Sequence, residues 1–466
     1  MIFTELAFLV LMLVVLPLYF VLPMRGQNVM LLVASYVFYG WWDWRFLFLL
    51  FFSTVLDYGI GLMLTAKRFD NYRQLILVLS ITTQLVLLGV FKYYNFFATS
   101  FALLLEQFGI VASPLLLNVA LPVGISFYTF HTISYTVDIY RRISKPTTDF
   151  IGFALFISFF PQLVAGPIAR ASHLLPQCLR ERIVTRQGWY EGSYLFLWGL
   201  FKKVVVADNF AVIVNRGFDN PDQLNALTAL CVVYAFAWQI YCDFSGYTDM
   251  ARGISMWMGF DLQVNFNVPY LAVDPSDFWQ RWHISLSTWL RDYLYIPLGG
   301  NRLGVSRTYM NLMLTMLIGG LWHGASWTFV LWGFYHGLLL CVYRLVAPDL
   351  AKRLAHSFWK RSLHQIWFFH LVCLSWLLFR TQSMEQLQGI CSAFLRSPKL
   401  ELGTTARLGL AFPVFAVEYL VYRHRDQVAF LKVVPWPLRT IVYVGLYWAL
   451  ISLGKWTGEG FIYFQF

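Results

Sequence analysis

Two histidines are the residues of this sequence best suited to chemistry. His323 lies between two apolar stretches, and His283 precedes it in a more polar stretch. A charged side chain at the centre of a membrane helix costs roughly 2.5–3.5 kcal/mol, so an ionisable residue at that depth usually lines a protein interior or a wet cavity. A histidine near its ordinary pKa can remove a proton from a hydroxyl as a general base. With an activated acyl donor this is O-acyl transfer, in which His323 acts as the base or carries the acyl group itself.

The role of His283 stays open, because this residue can orient the site, polarise a carbonyl or bind substrate. It lies within a polar region, 239–311, where glycine and proline interrupt the helical pattern. Irregular backbone at membrane depth is tolerated where it borders a cavity. The sequence therefore predicts a polar chamber next to His323, and Asp243 and Asp249 at its edge are either catalytic or engaged in helix caps and ion pairs.

Several other chemistries lack their sequence signals. The chain contains no G-x-S-x-G elbow, no Walker A loop and no H-E-x-x-H pair, so the serine hydrolase, ATPase and zinc protease classes lose support. Its six cysteines include no C-x-x-C pair, and neither a zinc site nor a redox dithiol is predicted. The site is therefore predicted to contain no metal.

The composition identifies the elements that must position these histidines as membrane helices. Of 466 residues, 59% are hydrophobic and 13% are charged, whereas soluble domains average about 25% charged residues. The net charge of +11 is explained by lysine and arginine in cytoplasmic loops, and nucleic-acid binding is not expected. The predicted fold is an all-α polytopic membrane protein, with residues 1–466 in a single domain.

Hydropathy predicts about ten to twelve passes across the bilayer. Four further stretches are short or interrupted and predict short spans, re-entrant pieces or interfacial helices: 150–168, 192–215, 250–262 and 309–321. Basic clusters near 67–73, 141–145, 170–186 and 352–361 predict cytoplasmic loops, which places the N-terminus outside. The clear spans are 4–23, 27–41, 46–65, 74–91, 118–139, 225–242, 327–346, 365–380, 406–422 and 437–453.

Seven segments in order resemble the membrane-bound O-acyltransferase family, in particular its bacterial branch with the membrane subunit of alginate O-acetyltransferase. They are Val33–Trp42, Leu121–Arg142, Phe159–Arg170, Gly199–Asp208, Asp243–Gly253, Phe278–Arg302 and Met316–Gly337, with the core motifs between residues 121 and 337. The resemblance implies a ring of transmembrane helices around a central funnel and tunnel. It also implies that His323 is the essential histidine and that His283 is the second active-site position.

The same resemblance implies the reaction and its participants. An acetyl-CoA-type donor in the cytoplasm supplies acetyl, no cofactor is bound, and a periplasmic or membrane-anchored partner of the SGNH-hydrolase type receives the group in the bacterial inner membrane. The acceptor is an extracytoplasmic polysaccharide, either alginate, another exopolysaccharide or peptidoglycan. Arg281 and Arg170 are candidates for CoA phosphates because arginine suits that contact, although structural ion pairing explains them equally well. Further candidates for donor or substrate binding are Trp282, Trp322, Asn267, Asp243 and Ser245.

Two alternatives remain. The first is transfer of D-alanine or another acyl group from a carrier protein to a cell-wall polymer. An acidic carrier protein would need a basic docking surface on the cytoplasmic side, and the basic loops do not exclude one. The second is a transporter of an acylated intermediate that performs no chemistry. Transporters often show inverted repeats, and no such repeat is evident here. A transporter should tolerate substitution of His323 by glutamine, whereas an acyltransferase should not.

Overall fold

Helices account for the regular secondary structure of this protein. The computed structural model describes residues 1–354, 357–399, 401–456 and 460–462, and within those ranges there is no β-strand. The chain forms two units, of which one comprises residues 1–188, 254–262 and 324–326 and the other comprises 189–253, 263–323 and 327–466. The predicted all-α class is confirmed, while the single domain spanning 1–466 stays a prediction.

The first unit contains nine helices before residue 186. A buried carboxylate, Asp57, lies in its interior and accepts hydrogen bonds from Ser80 Oγ at 2.8 Å and Gln84 Nε2 at 2.6 Å, because a buried polar group needs such partners. The interrupted stretch 150–168 is indeed broken, with Phe159 in a non-helical conformation (φ −50°, ψ 110°) between two helices. The helices are α1 (Leu6–Val21), α2 (Met24–Asp43), α3 (Phe46–Met63), α4 (Arg73–Leu88), α5 (Tyr94–Gln107), α6 (Ile125–Tyr140), α7 (Phe150–Ser158), α8 (Phe160–Leu163) and α9 (Ala171–Cys178).

The remaining helices belong mainly to the second unit. Residues 250–257, expected as part of a separate short piece, instead continue the long helix α12 through Gly253, and the helix ends at Trp257, just before Gly259 with its positive φ of 74°. Residues 309–321 lie within α15. The helices are α10 (Arg186–Leu200), α11 (Asp208–Asp219), α12 (Ala226–Trp257), α13 (Pro275–Trp279), α14 (Ile284–Leu290), α15 (Val305–His323), α16 (Trp327–Val346), α17 (Leu350–Arg353), α18 (Phe358–Arg380), α19 (Met384–Ala393), α20 (Leu402–Arg407), α21 (Phe412–His424), α22 (Ala429–Val433) and α23 (Trp436–Leu453).

Short 3-10 and π turns join or extend these helices. The π turns widen the helix locally, which is often seen at functional sites. One of them follows α14 and another precedes α11. The 3-10 turns are Lys67–Tyr72, Pro221–Gln223, Pro269–Leu271 and Leu408–Ala411, and the π turns are Gly89–Tyr93, Phe201–Ala207 and Arg291–Tyr295.

Seven helices in the described part of the chain are long and apolar enough to cross a membrane. The N-terminal helix Leu6–Val21 is apolar but shorter, and α15 is not among the seven although it carries His323. The protein is therefore a multi-span membrane protein, as its composition predicted. The seven segments are Phe46–Met63, Lys67–Gln107, Ala226–Trp257, Trp327–Val346, Phe358–Arg380, Thr405–His424 and Trp436–Leu453.

Two glycines bring α15 and α16 into direct backbone contact. A methyl group on Gly320 would meet the carbonyl oxygen of Phe329, and one on Gly333 would meet the carbonyl oxygen of Met316, both well inside van der Waals distance. Small residues permit this close approach of membrane helices. Because His323 ends α15, this contact fixes its position relative to the start of α16.

Candidate active site

His323 occupies the C-terminal end of α15 among aromatic rings. It is buried, and its ring centroid lies 5.0 Å from that of Trp332, 5.1 Å from that of Trp322 and 5.3 Å from that of Phe379. All three rings approach edge-to-face, which is a favoured arrangement of aromatic side chains. The imidazole is thus held in a fixed orientation within an apolar surround.

A cavity of about 370 Å³ opens beside this imidazole. One face of α15 forms a wall, because its lining residues recur at intervals of three and four from Leu312 to His323. At 1.5 Å per residue this wall is roughly 16 Å long. The cavity has a volume typical of ligand pockets. Its lining residues are Ser276, Trp279, Gln280, Ile284, Leu286, Ser287, Thr288, Leu290, Arg291, Tyr295, Leu312, Thr315, Met316, Gly319, His323, Trp332 and Leu340.

His283 lies next to His323 but does not line that cavity. The two ring centroids are 6.5 Å apart, and the His283 ring packs edge-to-face on Phe244 at 4.7 Å and lies 5.8 Å from the ring of Trp322. Its side chain is fully buried, and burial lowers the pKa of His283 to about 3 because an apolar surround disfavours the charged imidazolium. His283 is therefore neutral at physiological pH and can stabilise or orient a neighbouring group, but it cannot supply a positive charge.

The lowered pKa of His283 predicts a loss of stability in acid. An unfolded histidine takes up a proton near pH 6.5, whereas the folded His283 does so only near pH 3, so the free energy of unfolding falls as the pH drops below 6.5. At pH 4.5 the expected loss from this residue is about 2–3 kcal/mol. The thermal midpoint in detergent should fall further between pH 7.5 and 4.5 for the unaltered protein than for His283→Gln. An equal fall in both proteins would contradict the prediction.

Asp243 and Ser245 lie in a buried charge network of the second unit. Asp243 Oδ1 is 2.7 Å from Lys203 Nζ, and Lys203 Nζ also donates to Asp208 Oδ1 at 2.8 Å. Lys202 Nζ donates to Ser245 Oγ at 3.0 Å and to Asp249 Oδ2 at 2.6 Å. Buried charges are stable only when paired in this way. The ion-pair interpretation of the two aspartates thus has its partners: both carboxylates pair with lysines, and Asp249 Oδ1 also lies 3.9 Å from Arg252 Nη1.

The second carboxylate oxygen of Asp243 anchors a distant part of the chain. It accepts a hydrogen bond from the backbone N–H of Ile462 at 2.7 Å. The neighbouring Phe461 packs its ring 5.6 Å from the ring of Phe244, which itself supports His283. Asp243 therefore contributes to the site by fixing the structure behind His283.

Removal of the Lys203 charge should destabilise the protein strongly. We expect Lys203→Met to lower the free energy of unfolding by about 3–5 kcal/mol, because it removes the cation that neutralises Asp243 and Asp208 in the interior. The matched control is Lys352→Met, since Lys352 pairs with Asp349 at an exposed site and such pairs contribute about 0–1 kcal/mol. Chemical unfolding of both variants in detergent would measure the difference. Equal losses in the two variants would contradict a structural role for Lys203.

The other predicted binding residues are spread over several environments. Trp322 lies between the two histidines, whereas Trp282 is buried against Trp376, with the ring centroids 4.7 Å apart. Arg281 forms an ion pair with Asp277 at 2.6 Å, and Asn267 is exposed. All four of these residues are described by the structure, and the cavity beside His323 is lined by none of them. Their contacts with a donor or substrate stay predictions.

Arg170 belongs to the first unit. It is half-buried at the N-terminal cap of α9, where its backbone carbonyl accepts hydrogen bonds from the N–H groups of His173 and Leu174. This position is compatible with a structural role. Its predicted contact with a CoA phosphate stays a prediction.

Apart from His323, sequence reasoning did not single out the residues that wall the cavity. On α15 the signal was present, because Leu312, Thr315, Met316, Gly319 and His323 recur at helical spacing. The lining residues of the opposite wall, from α13 to the π turn at Arg291–Tyr295, also recur at intervals of three and four, but they are divided among separate short elements. Asn265 was also missed, although it is buried and accepts hydrogen bonds from Ser285.

This arrangement suits proton transfer at an acyl centre. A cavity reaches one imidazole, aromatic rings pack around that imidazole, and the ring centroid of a second, neutral imidazole lies 6.5 Å away. Within the described residues no group of three or more histidine, cysteine or acidic side chains could hold a metal ion. The imidazoles of His323 and His283 are side chains suited to acid–base or nucleophilic chemistry.

Several known proteins are similar to this sequence over more than half of its length. A sequence model of the membrane-bound O-acyltransferase family matches residues 82–384. A protein of Azotobacter vinelandii named "Probable alginate O-acetylase AlgI" is 43% identical over 83% of this chain and 76% of its own length. The "Peptidoglycan O-acetyltransferase" of Helicobacter pylori is 38% identical over 79% of this chain and 74% of its own length. A "Teichoic acid D-alanyltransferase" of Bacillus subtilis is 28% identical over 55% of this chain and 68% of its own length.

Proposed function

The chain belongs to the membrane-bound O-acyltransferase family and is an acyltransferase, and we propose that it moves acetyl from a cytoplasmic acetyl-CoA-type thioester towards an extracytoplasmic polysaccharide. The observation that carries this proposal is the position of His323 at the end of a long cavity within an aromatic surround. His323 is the proposed general base. His283 is the proposed neutral group that orients it.

The direction of donor entry is supported by the charges around α15 and α16. Arg302 and Arg307 lie at the start of α15, and Arg344 and Lys352 lie at or beyond the last turn of α16. Basic residues concentrate at the cytoplasmic ends of membrane helices. His323 lies at the opposite end of α15, so the cavity wall leads from the basic side towards it. In the proposal this basic side is cytoplasmic and the protein lies in the inner membrane with its N-terminus outside.

The proposed step balances without a cofactor. His323 removes the proton of an acceptor hydroxyl, the alkoxide attacks the thioester carbonyl, and the tetrahedral intermediate expels the thiolate, which takes the proton from the imidazolium. The new bond is the oxygen ester and the broken bond is the thioester. The aromatic rings packed around His323 limit the access of water there, which protects the thioester from hydrolysis.

The acceptor in this proposal is an envelope polysaccharide. The names of the relatives from Azotobacter vinelandii and Helicobacter pylori refer to acetylation of alginate and of peptidoglycan, which supports an acceptor of that class. The proposal includes an SGNH-type partner on the periplasmic side that completes transfer to the polymer. The relative from Bacillus subtilis supports D-alanyl transfer from a carrier protein as the second candidate.

Sided membrane vesicles test both the donor and the direction. Radiolabelled acetyl-CoA, which does not cross membranes, would be added to inverted and to right-side-out vesicles that contain the protein and its polysaccharide-producing host components. We expect label in the polysaccharide fraction of inverted vesicles alone. Label in right-side-out vesicles alone would overturn the proposed direction. Labelling by D-alanyl carrier protein, with none from acetyl-CoA, would favour the second candidate.

A substitution within the cavity tests whether the donor occupies it. Leu312→Trp fills the end of the cavity far from His323, so we expect the KM for acetyl-CoA to rise about tenfold with a smaller change in kcat. Leu314→Trp is the control, because Leu314 lies on the exposed side of the same helix. Similar kinetics of the two variants would place the donor elsewhere.

A further inference from the structure

The backbone of His283 has a conformation that residues with a side chain seldom adopt. Its φ of 42° and ψ of 55° lie in the left-handed region, which costs a residue with a side chain roughly 1–2 kcal/mol. Such a conformation persists only where the surroundings hold it, and it often marks a functional site. The structure must therefore contain contacts that keep His283 in place.

Those contacts come from Asn265. The Asn265 backbone oxygen accepts the N–H of Ile284 at 2.9 Å, and its side-chain Oδ1 accepts the Ser285 hydroxyl at 2.6 Å and the Ser285 N–H at 3.3 Å. Two residues further on, the N–H of Asn267 donates to the carbonyl of Arg281 at 2.9 Å. The chain around Asn265 thus brackets His283 on both sides.

Asn265 also replaces the usual cap of α14. The residue before a helix normally accepts the first free N–H groups with its own side chain. Here that residue is His283, and its ring does not form the cap but packs between Phe244 and Trp322. Asn265 supplies the acceptor from a distant position in the chain, so the imidazole can face His323.

We propose that Asn265 is the positioning residue of this active site. It acts through His283, because it is buried, does not line the cavity and holds the backbone that aims the His283 ring at His323. This inference rests on the proposed acyl transfer and assigns one more residue to it. If His283 turned to an ordinary right-handed or extended conformation, its Cβ would point elsewhere and the ring would leave its place beside His323.

A double-mutant cycle of acetyl transfer in membranes tests the proposal. We expect Asn265→Ala to lower kcat about tenfold and to leave the KM for acetyl-CoA unchanged, because donor binding does not involve this residue. In a His283→Ala background the same change should cost nothing further, since Asn265 acts only through His283. Additive losses in the double variant, or a change in KM alone, would overturn the proposal.

A milder variant keeps the test decisive if Asn265→Ala fails to accumulate. Ser285→Ala removes only the hydroxyl that donates to Asn265 Oδ1, and we expect it to lower kcat about threefold, again with no effect in the His283→Ala background. Ser285→Thr keeps the hydroxyl and should retain the unaltered kcat. An equal loss of kcat in both Ser285 variants would contradict the role of this hydrogen bond.

The failure of this inference differs from the failure of the proposed function. If His283→Ala and Asn265→Ala retain full activity while His323→Ala is inactive, the positioning role of Asn265 is wrong, but acyl transfer by His323 is still supported. If His323→Ala is also fully active, the proposed chemistry itself is wrong.

Discussion

His323→Ala should abolish acetyl transfer while leaving the protein folded. Loss of a general base slows such a reaction about 10²–10⁴-fold, and no other described histidine lines the cavity to replace it. His323→Gln keeps most of the side-chain volume and should be equally inactive, because an amide does not accept a proton at neutral pH. The measurement is incorporation of label from acetyl-CoA into polysaccharide at matched protein levels.

The control for His323 is the same change at an exposed histidine. His424→Ala alters the end of α21, far along the chain from the cavity, and should retain full activity. Thermal midpoints of His323→Gln and His424→Ala should lie close to that of the unaltered protein, whereas His323→Ala leaves a void among the rings and should unfold at a somewhat lower temperature. Full activity of His323→Gln would instead support transport of an acylated intermediate without chemistry at this residue.

Gly320→Ala should lower both the stability and the activity of the enzyme. The added methyl group would press on the Phe329 carbonyl and on Gly333, so α15 and α16 must separate. Overpacking of this kind costs about 1–3 kcal/mol, which exceeds the gain of up to about 1 kcal/mol from replacing glycine by alanine in a helix. Displacement of α15 moves His323 relative to Trp332, so kcat should fall at least tenfold in the protein that remains folded.

Gly445→Ala is the matched control for that prediction. Gly445 lies within α23 and a methyl group there would meet nothing within 4 Å, so the change should be neutral or slightly stabilising. Thermal unfolding and acetyl transfer of the two variants would be compared in the same detergent. If Gly320→Ala resembles Gly445→Ala in both measurements, the close contact of α15 and α16 does not position His323.

The all-helical membrane fold and the main histidine could be predicted because their signals are local. Apolar composition requires membrane helices, and a histidine such as His323 within an apolar stretch stands out by its cost. The continuity of α12 was harder to predict, since residues 250–257 are less apolar than the segment before them and yet nothing breaks the helix. Helix ends depend on packing that hydropathy does not record.

The partners of the site could not be predicted because they are distant in sequence. Asn265 reaches Ser285, and Lys203 reaches Asp243, only after the chain has folded. The left-handed backbone of His283 has no clear sequence signal either, since histidine adopts this conformation more often than most residues but still only at a small minority of positions. The sequence thus indicated which residue types take part, while their arrangement follows from long-range hydrogen bonds and ion pairs.

The glycine contact between α15 and α16 also restricts which wall of the cavity can move to widen it. Two helices in backbone contact move as one body, so neither hinge nor shear between them can admit a ligand. The cavity can therefore widen only by movement of the opposite wall, where α14 is short and continues into the π turn Arg291–Tyr295. We therefore expect amide hydrogen exchange to be fastest along that wall and slow along α15. In this arrangement the helix that carries the catalytic imidazole stays rigid, while the opposite wall moves to admit the donor.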